Sequence, residues 1–176
     1  DAATLQVLDV VLLAAGDGLA PDALIAALPA LPDEVLDAAV DRLTTQALLW
    51  GDDVLRAPEP VRRAVRYPAG LGRRATELRL ALPADLPSAV AELPAEERGV
   101  LDRLAGDRPV GHLPDADGGA ASPTRRLLQR GLLARIDALN VELPRELGLQ
   151  LRGGSPYGPP RLRPEPATVE RDAAVV

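Results

Sequence analysis

Hydrophobic positions in the first third of the chain recur every three or four residues, which is the spacing of helices buried along one face. The pattern predicts three helices, separated by Gly16-Asp17-Gly18 and by Pro29, with the third beginning near Pro32-Asp33-Glu34. The predicted apolar positions are Leu5, Leu8, Val11, Leu12 and Ala15, then Leu24, Ile25 and Leu28, then Leu36, Ala39, Val40 and Leu43.

After the third helix, the pattern becomes typical of short strands. Residues 47–50 and 54–57 flank Gly51-Asp52-Asp53, which predicts a β-hairpin with Asp52 and Asp53 in its turn. Three helices followed by a hairpin is the element order of a winged helix, a form of helix-turn-helix.

The C-terminal half repeats much of this order. A helix is predicted from Pro94 to Gly106, then a short element at residues 110–113, a polar loop at residues 114–121, and a helix beginning at Ser122-Pro123. Residues 133–137 and 139–143 are predicted strands of a second hairpin. The apolar positions of the two helices are Val100, Leu101 and Leu104, then Leu127, Leu128 and Leu132.

Each predicted hairpin is followed at once by a proline, Pro58 or Pro144, and an apolar segment, which supports an internal duplication. We therefore predict an α-rich α+β fold of tandem winged-helix domains. The predicted division is a first domain at residues 1–72, a linker at 73–93, a second domain at 94–152, and an extended Pro/Gly-rich tail at 153–176.

Composition argues against catalysis. The chain has no Cys and no Lys, which excludes a thiol nucleophile, a thiolate metal site, a P-loop lysine and a Schiff base. His112 is the only histidine, and no nucleophile-elbow motif surrounds Ser88, Ser122 or Ser155. His112 with Asp115 and Asp117 lacks the spacing of a zinc site, and Gly118-Gly119 lacks a phosphate-binding motif. We expect a protein that is not an enzyme, with no cofactor, metal or small-molecule substrate.

The chain shows no stretch of about 18 apolar residues and no signal peptide, so we expect a cytoplasmic protein without a membrane partner. It begins with Asp1, and we expect it to be a segment of a longer protein.

Charge is unevenly distributed within a net −6. The third helix carries four acidic residues beside Arg42, and carboxylates there would repel DNA phosphates. The helix after Ser122 instead presents arginines for phosphate contact, with one more on the adjoining strand; these are Arg125, Arg126, Arg130 and Arg135. A second basic cluster contains Arg62, Arg63, Arg66, Arg73, Arg74 and Arg79. Solvated arginines, or arginines paired with the acidic helix, are the alternative interpretation.

Several short motifs resemble the N-terminal region of the XPB-like helicase-associated domain proteins of actinobacteria. They lie in order along residues 4–154: Leu48-Leu49-Trp50-Gly51-Asp52-Asp53, Tyr67-Pro68-Ala69-Gly70-Leu71-Gly72, Val110-Gly111-His112-Leu113-Pro114, Arg130-Gly131-Leu132-Leu133, Val141-Glu142-Leu143-Pro144-Arg145-Glu146-Leu147-Gly148-Leu149 and Leu151-Arg152-Gly153-Gly154. The resemblance implies a segment without ATPase activity that precedes a helicase-like C-terminal region of the same protein.

We therefore predict a non-catalytic module of a helicase-associated protein that binds DNA mainly through its second domain. The alternative is an adaptor that joins protein partners without contacting nucleic acid. In that case the acidic helix at residues 33–41 would dock a basic partner, including the helicase-like part of its own chain.

Overall fold

Helices dominate the computed structural model, which describes residues 1–14, 17–106, 108–113 and 122–157. The helices are α1 (Ala2–Leu13), α2 (Pro21–Ala27), α3 (Asp33–Thr45), α4 (Glu59–Ala64), α5 (Leu86–Ala91), α6 (Ala95–Gly106), α7 (Pro123–Gln129) and α8 (Arg145–Leu151). The strands are β1 (Val110–His112), β2 (Ala134–Arg135) and β3 (Asn140–Glu142). The α-rich α+β class is confirmed. No helix in the described ranges is long and apolar enough to cross a membrane.

The N-terminal core lies where α1 and α2 pack with α3. Asp1 caps α1 by accepting a hydrogen bond from the Thr4 amide at 2.9 Å. The prediction for Leu5 was wrong, because 63% of this residue is exposed while Val7 and Val10 are buried. Helix α1 is apolar on most sides, so spacing alone did not identify its buried face. Its buried partners in the other elements include Leu24, Leu28, Leu36, Ala39, Leu43, Leu49 and Leu55.

The first hairpin is smaller than predicted. Trp50 and Arg56 exchange two backbone hydrogen bonds of 2.9 Å around the turn, and this single bridge replaces the predicted strands at 47–50 and 54–57. Ala47 follows α3 with a φ of 55°, a left-handed turn that keeps it out of a strand. Leu19 pairs with Leu55 on the other side, so three segments meet with residues 55–56 in the middle.

The C-terminal half contains a three-stranded antiparallel sheet with the order β1-β3-β2. Both outer strands pair with Glu142 of β3, through Val110 and Ala134. The predicted strands at 133–137 and 139–143 are shortened because the Asp137 carboxylate accepts hydrogen bonds from the Leu139 and Asn140 amides. This turn chemistry ends both strands early.

Two other predictions in this half concern α7. Ser122 is the N-cap and Pro123 the first helical residue, as predicted, and Leu127 is fully buried below them. Leu132 is also buried but follows the end of the helix. The predicted loop at 114–121 lies outside the described residues.

The segment predicted as a linker packs closely against the C-terminal half. Ala75 is buried, and its amide donates a hydrogen bond of 2.9 Å to the Glu146 carboxylate. Gly72, at the end of the predicted first domain, lies against the Leu143 carbonyl oxygen with no room for a Cβ. The Arg145 guanidinium donates to the carbonyls of Gly72 at 3.2 Å and of Leu13 in α1 at 3.0 Å. Burial lowers the pKa of Arg145. The division into domains 1–72 and 94–152 stays a prediction.

The chain after α8 folds back onto earlier elements. Arg152 donates to the carbonyls of Ala105, Ala69 and Gly70 at 2.8, 2.7 and 3.2 Å. Tyr157 donates to the Asp9 carboxylate of α1 at 2.8 Å. Residues 158–176 of the predicted tail lie outside the described residues.

Candidate nucleic-acid interface

Helix α7 and strand β2 carry the four arginines that the sequence places at a DNA interface. The Ser122 hydroxyl accepts a hydrogen bond from the Arg125 amide at 3.3 Å, which fixes the first turn of α7. Leu127 anchors the opposite face of the helix in the core. Arg125 and Arg126 therefore lie on a short, well-anchored helix, with Arg130 directly at its end.

Two of these arginines neutralise a buried glutamate. Glu97 of α6 is completely buried, and its Oε1 accepts a hydrogen bond from Arg126 Nε at 2.6 Å. Arg130 Nε lies 3.2 Å from the other oxygen, Oε2, as an ion pair without hydrogen-bond alignment. Arg126 also reaches Glu96 at 3.3 Å. The hydrogen bond that Arg126 donates to Glu97 raises the pKa of Arg126, so this guanidinium stays charged.

This pairing is not predicted above, where the helix from Pro94 to Gly106 is assigned only its leucine and valine positions. A signal was present, because Glu97, Leu101 and Leu104 follow the i, i+4, i+7 spacing of one helical face. A buried carboxylate requires a nearby positive charge to offset its desolvation. The charges of Arg126 and Arg130 are therefore partly neutralised before any phosphate approaches.

The other two arginines are placed differently. Arg125 is half-buried on α7 and Arg135 is exposed on β2. Neither forms an ion pair with a carboxylate in the part of the chain that the structure describes. Their charges can therefore interact with an external anion without first leaving a protein partner.

The second predicted cluster, on and after α4, does not converge on one site. Arg63 Nε lies 2.9 Å from Glu59, and Arg62 Nε lies 3.9 Å from the same side chain. Arg66 follows the helix and is exposed. Arg73 is directed elsewhere: it pairs with fully buried Glu142 at 2.8 Å, and this hydrogen bond raises the Arg73 pKa. The two predicted clusters are thus organised around separate carboxylates.

The acidic charge of the chain is concentrated in its N-terminal part. Residues 1–66 carry 11 acidic side chains and 5 arginines, a formal charge of −6, while residues 67–176 carry 15 of each. The carboxylates of α3 are all exposed: Asp33, Glu34, Asp37 and Asp41. The net negative charge therefore lies in the N-terminal part, where the exposed carboxylates of α3 would repel the phosphates of a nucleic acid.

His112 lies on β1 with its side chain exposed, close enough to Asp137 to contribute to the lowered pKa of that carboxyl group. The larger cause is the hydrogen bond from the Asn140 side chain. Asp115, Asp117, Gly118 and Gly119 lie outside the described residues. Within the described ranges, no three His, Asp or Glu side chains come together as a metal site.

No family model matches the chain, and no similar curated protein or solved structure is found. The resemblance to helicase-associated proteins stays a prediction.

Proposed function

We propose that this chain is a non-catalytic module of two winged helices that binds DNA mainly through its C-terminal half. The strand order β1-β3-β2, with α6 before β1 and α7 before β2, supports this assignment for the C-terminal half. The two β-bridges of the N-terminal half support a second winged helix there. Leu19 and Trp50 lie on either side of residues 55–56, as β1 and β2 lie on either side of β3.

The observation that carries the DNA proposal is the state of Arg125 and Arg135. Arg125 lies on α7, and Arg135 lies on β2, which is the next element along the chain. Neither arginine has a carboxylate partner among the described residues. Arginines in this state contact phosphates without losing an internal ion pair. Arg126 and Arg130 are paired with Glu97, so their attraction for phosphates is weaker.

The sequence resemblance supplies the proposed setting. In this setting the module precedes a helicase-like region of the same full-length protein and presents DNA to it. The alternative function is an adaptor that binds only proteins, which is favoured by the acidic N-terminal half.

Salt-dependent DNA binding tests the proposal. A fluorescent duplex and a single strand are titrated with the wild type, Arg125→Ala/Arg135→Ala and Arg126→Ala/Arg130→Ala at about 50 to 200 mM salt. We expect Arg125→Ala/Arg135→Ala to reduce the slope of the logarithm of the association constant against the logarithm of the salt concentration. The reduction should correspond to the loss of about two phosphate contacts. Arg126→Ala/Arg130→Ala should reduce that slope less.

The matched control is Arg42→Ala/Arg98→Ala, which removes the same charge at exposed ion pairs with Asp1 and Asp102, on α3 and α6 instead of α7 and β2. This control should keep the wild-type slope. An equal loss of slope in the control contradicts the assigned interface. Absence of binding at about 50 mM salt overturns DNA binding and favours the adaptor.

A further inference from the structure

The N-terminal half contains a groove of about 810 Å³ between α2, α3 and the turn of the first hairpin. Leu24, Leu36 and Leu55 form its buried floor. Ile25 and Val40 form its apolar walls, and Ile25 remains 44% exposed. The helical spacing predicts Ile25 as one of the apolar positions of its helix, but in the structure this side chain is accessible to another molecule.

Three carboxylates border the same groove. Asp37 and Asp41 lie one helical turn apart on α3, and Asp52 lies in the hairpin turn opposite them. None of the three forms an ion pair within the described part of the chain, and no arginine is among the residues that line the groove. The groove therefore combines an apolar floor with a rim of one charge.

The groove is also preformed. Leu55 in its floor is held by two backbone hydrogen bonds of 2.9 Å to Leu19, and α3 is fixed through buried Leu36, Ala39 and Leu43. A ligand entering it does not have to order the backbone first, and this lowers the entropic cost of binding.

We propose that this groove binds an amphipathic segment of a partner protein, with aliphatic side chains on one face and Arg or Lys beside them. The aliphatic side chains would cover Ile25 and Val40, and the basic side chains would pair with Asp37, Asp41 and Asp52. Helix-in-groove recognition commonly uses this combination of apolar anchors and flanking charges. Nucleic acid is a poor fit, because the rim would repel its phosphates. The inference is independent of the DNA proposal, which concerns the other half.

The test uses the full chain, labelled with ¹⁵N, and synthetic peptides of about 16 residues, long enough for a helix of about four turns. The probe peptide has leucines at i, i+4 and i+7 and arginines at most other positions. One control peptide has the same composition with leucines spread around the helix, and a second replaces arginine by glutamate. We expect the probe alone to bind saturably, with amide shifts concentrated at the residues that line the groove.

Charge-matched variants locate the site. Asp37→Asn/Asp41→Asn/Asp52→Asn should weaken the probe peptide about tenfold, since it removes three exposed pairing partners. Asp33→Asn/Glu34→Gln/Asp53→Asn removes the same charge from exposed residues that do not line the groove, and it should change binding by less than about twofold. Ile25→Arg should abolish binding, because it places a like charge and a longer side chain in the apolar wall.

Four results would each overturn the proposal: no saturable shifts at millimolar probe, equal binding of the spread-leucine peptide, equal losses in the two triple variants, or the same groove shifts with duplex DNA. Arg125→Ala/Arg135→Ala should bind the probe as the wild type does. That comparison separates failure of this inference from failure of DNA binding.

Discussion

The two halves of the molecule use their acidic residues in opposite ways. In the N-terminal half, the carboxylates of α3 are exposed to solvent, and two of them, Asp37 and Asp41, border a groove with a leucine floor. In the C-terminal half, Glu97 and Glu142 are completely buried, and each is paired with arginine. The same residue type therefore forms a surface charge in one half and an internal support in the other.

This difference shows why counts of arginine overestimate attraction for an anion. Arg73, Arg126 and Arg130 are attached to buried carboxylates, and their charges are partly offset within the protein. The carboxylates around the N-terminal groove have no such partners in the described chain. The charge that a ligand meets depends on which side chains remain unpaired, and the two halves differ in this respect.

The largest expected effects come from the two cores. Leu43→Ala and Leu101→Ala remove side chains that are 1% and 0% exposed, and each should lower the free energy of unfolding by about 2–5 kcal/mol. Urea denaturation followed by circular dichroism measures this change. Because Arg145 bonds to α1 and Tyr157 to Asp9, we expect hydrogen exchange to accelerate in both halves of either variant. Acceleration confined to the substituted half would mean that the two cores unfold separately.

A smaller effect is expected at the buried carboxylate of α6. Glu97→Gln removes the charge shared by Arg126 and Arg130 and should cost about 1.5–3 kcal/mol of folding free energy, as for a hydrogen bond to a charged group. The same change should strengthen DNA binding and steepen its salt dependence, because the negative charge of Glu97 no longer offsets the two guanidinium groups. Glu96→Gln, at a neighbouring pair that is 76% exposed on the glutamate side, is the control and should cost less than about 1 kcal/mol. Equal costs for the two variants would contradict the supporting role of Glu97.

The smallest effect tests the contact between the end of the described chain and α1. Burial, followed by the nearby Asp9 charge, raises the pKa of Tyr157, so the folded protein retains a proton that the unfolded chain loses above about pH 10. This contribution to stability is complete below that pH and decreases as the pH rises further. Tyr157→Phe should cost about 0.5–1.5 kcal/mol near neutral pH and reduce the alkaline loss of stability.

The alkaline test is clear because the chain has no Lys or Cys, and Tyr67 and Tyr157 are its only tyrosines. Burial also raises the pKa of Tyr67, so titration of tyrosine absorbance in the Tyr157→Phe variant separates the two groups. An unchanged dependence of stability on pH above about 10 would show that the contact with Asp9 contributes nothing.

The local features of the fold could be predicted from the sequence, whereas its long-range charge pairs could not. Ser122-Pro123 and Pro144 marked helix starts correctly because capping and proline geometry depend on neighbouring residues alone. The pairing of Arg73 with Glu142 joins residues 69 positions apart, and no local pattern indicates it. The burial of Glu97 could have been predicted from its spacing to Leu101. The exposure of Leu5 and Ile25 could not have been predicted, because it depends on which neighbouring elements pack against each helix.

The contacts of Arg152 affect how the module would bind a DNA and a peptide at the same time. Its guanidinium joins the end of α6, through Ala105, to the turn at Ala69 and Gly70. Arg145 and Tyr157 add contacts to α1, and we expect these links together to restrain rotation of the acidic groove relative to α7. A DNA and a peptide that belong to one assembly would therefore have to match a fixed spacing, and a linker between them of the wrong length would lose the gain in effective concentration.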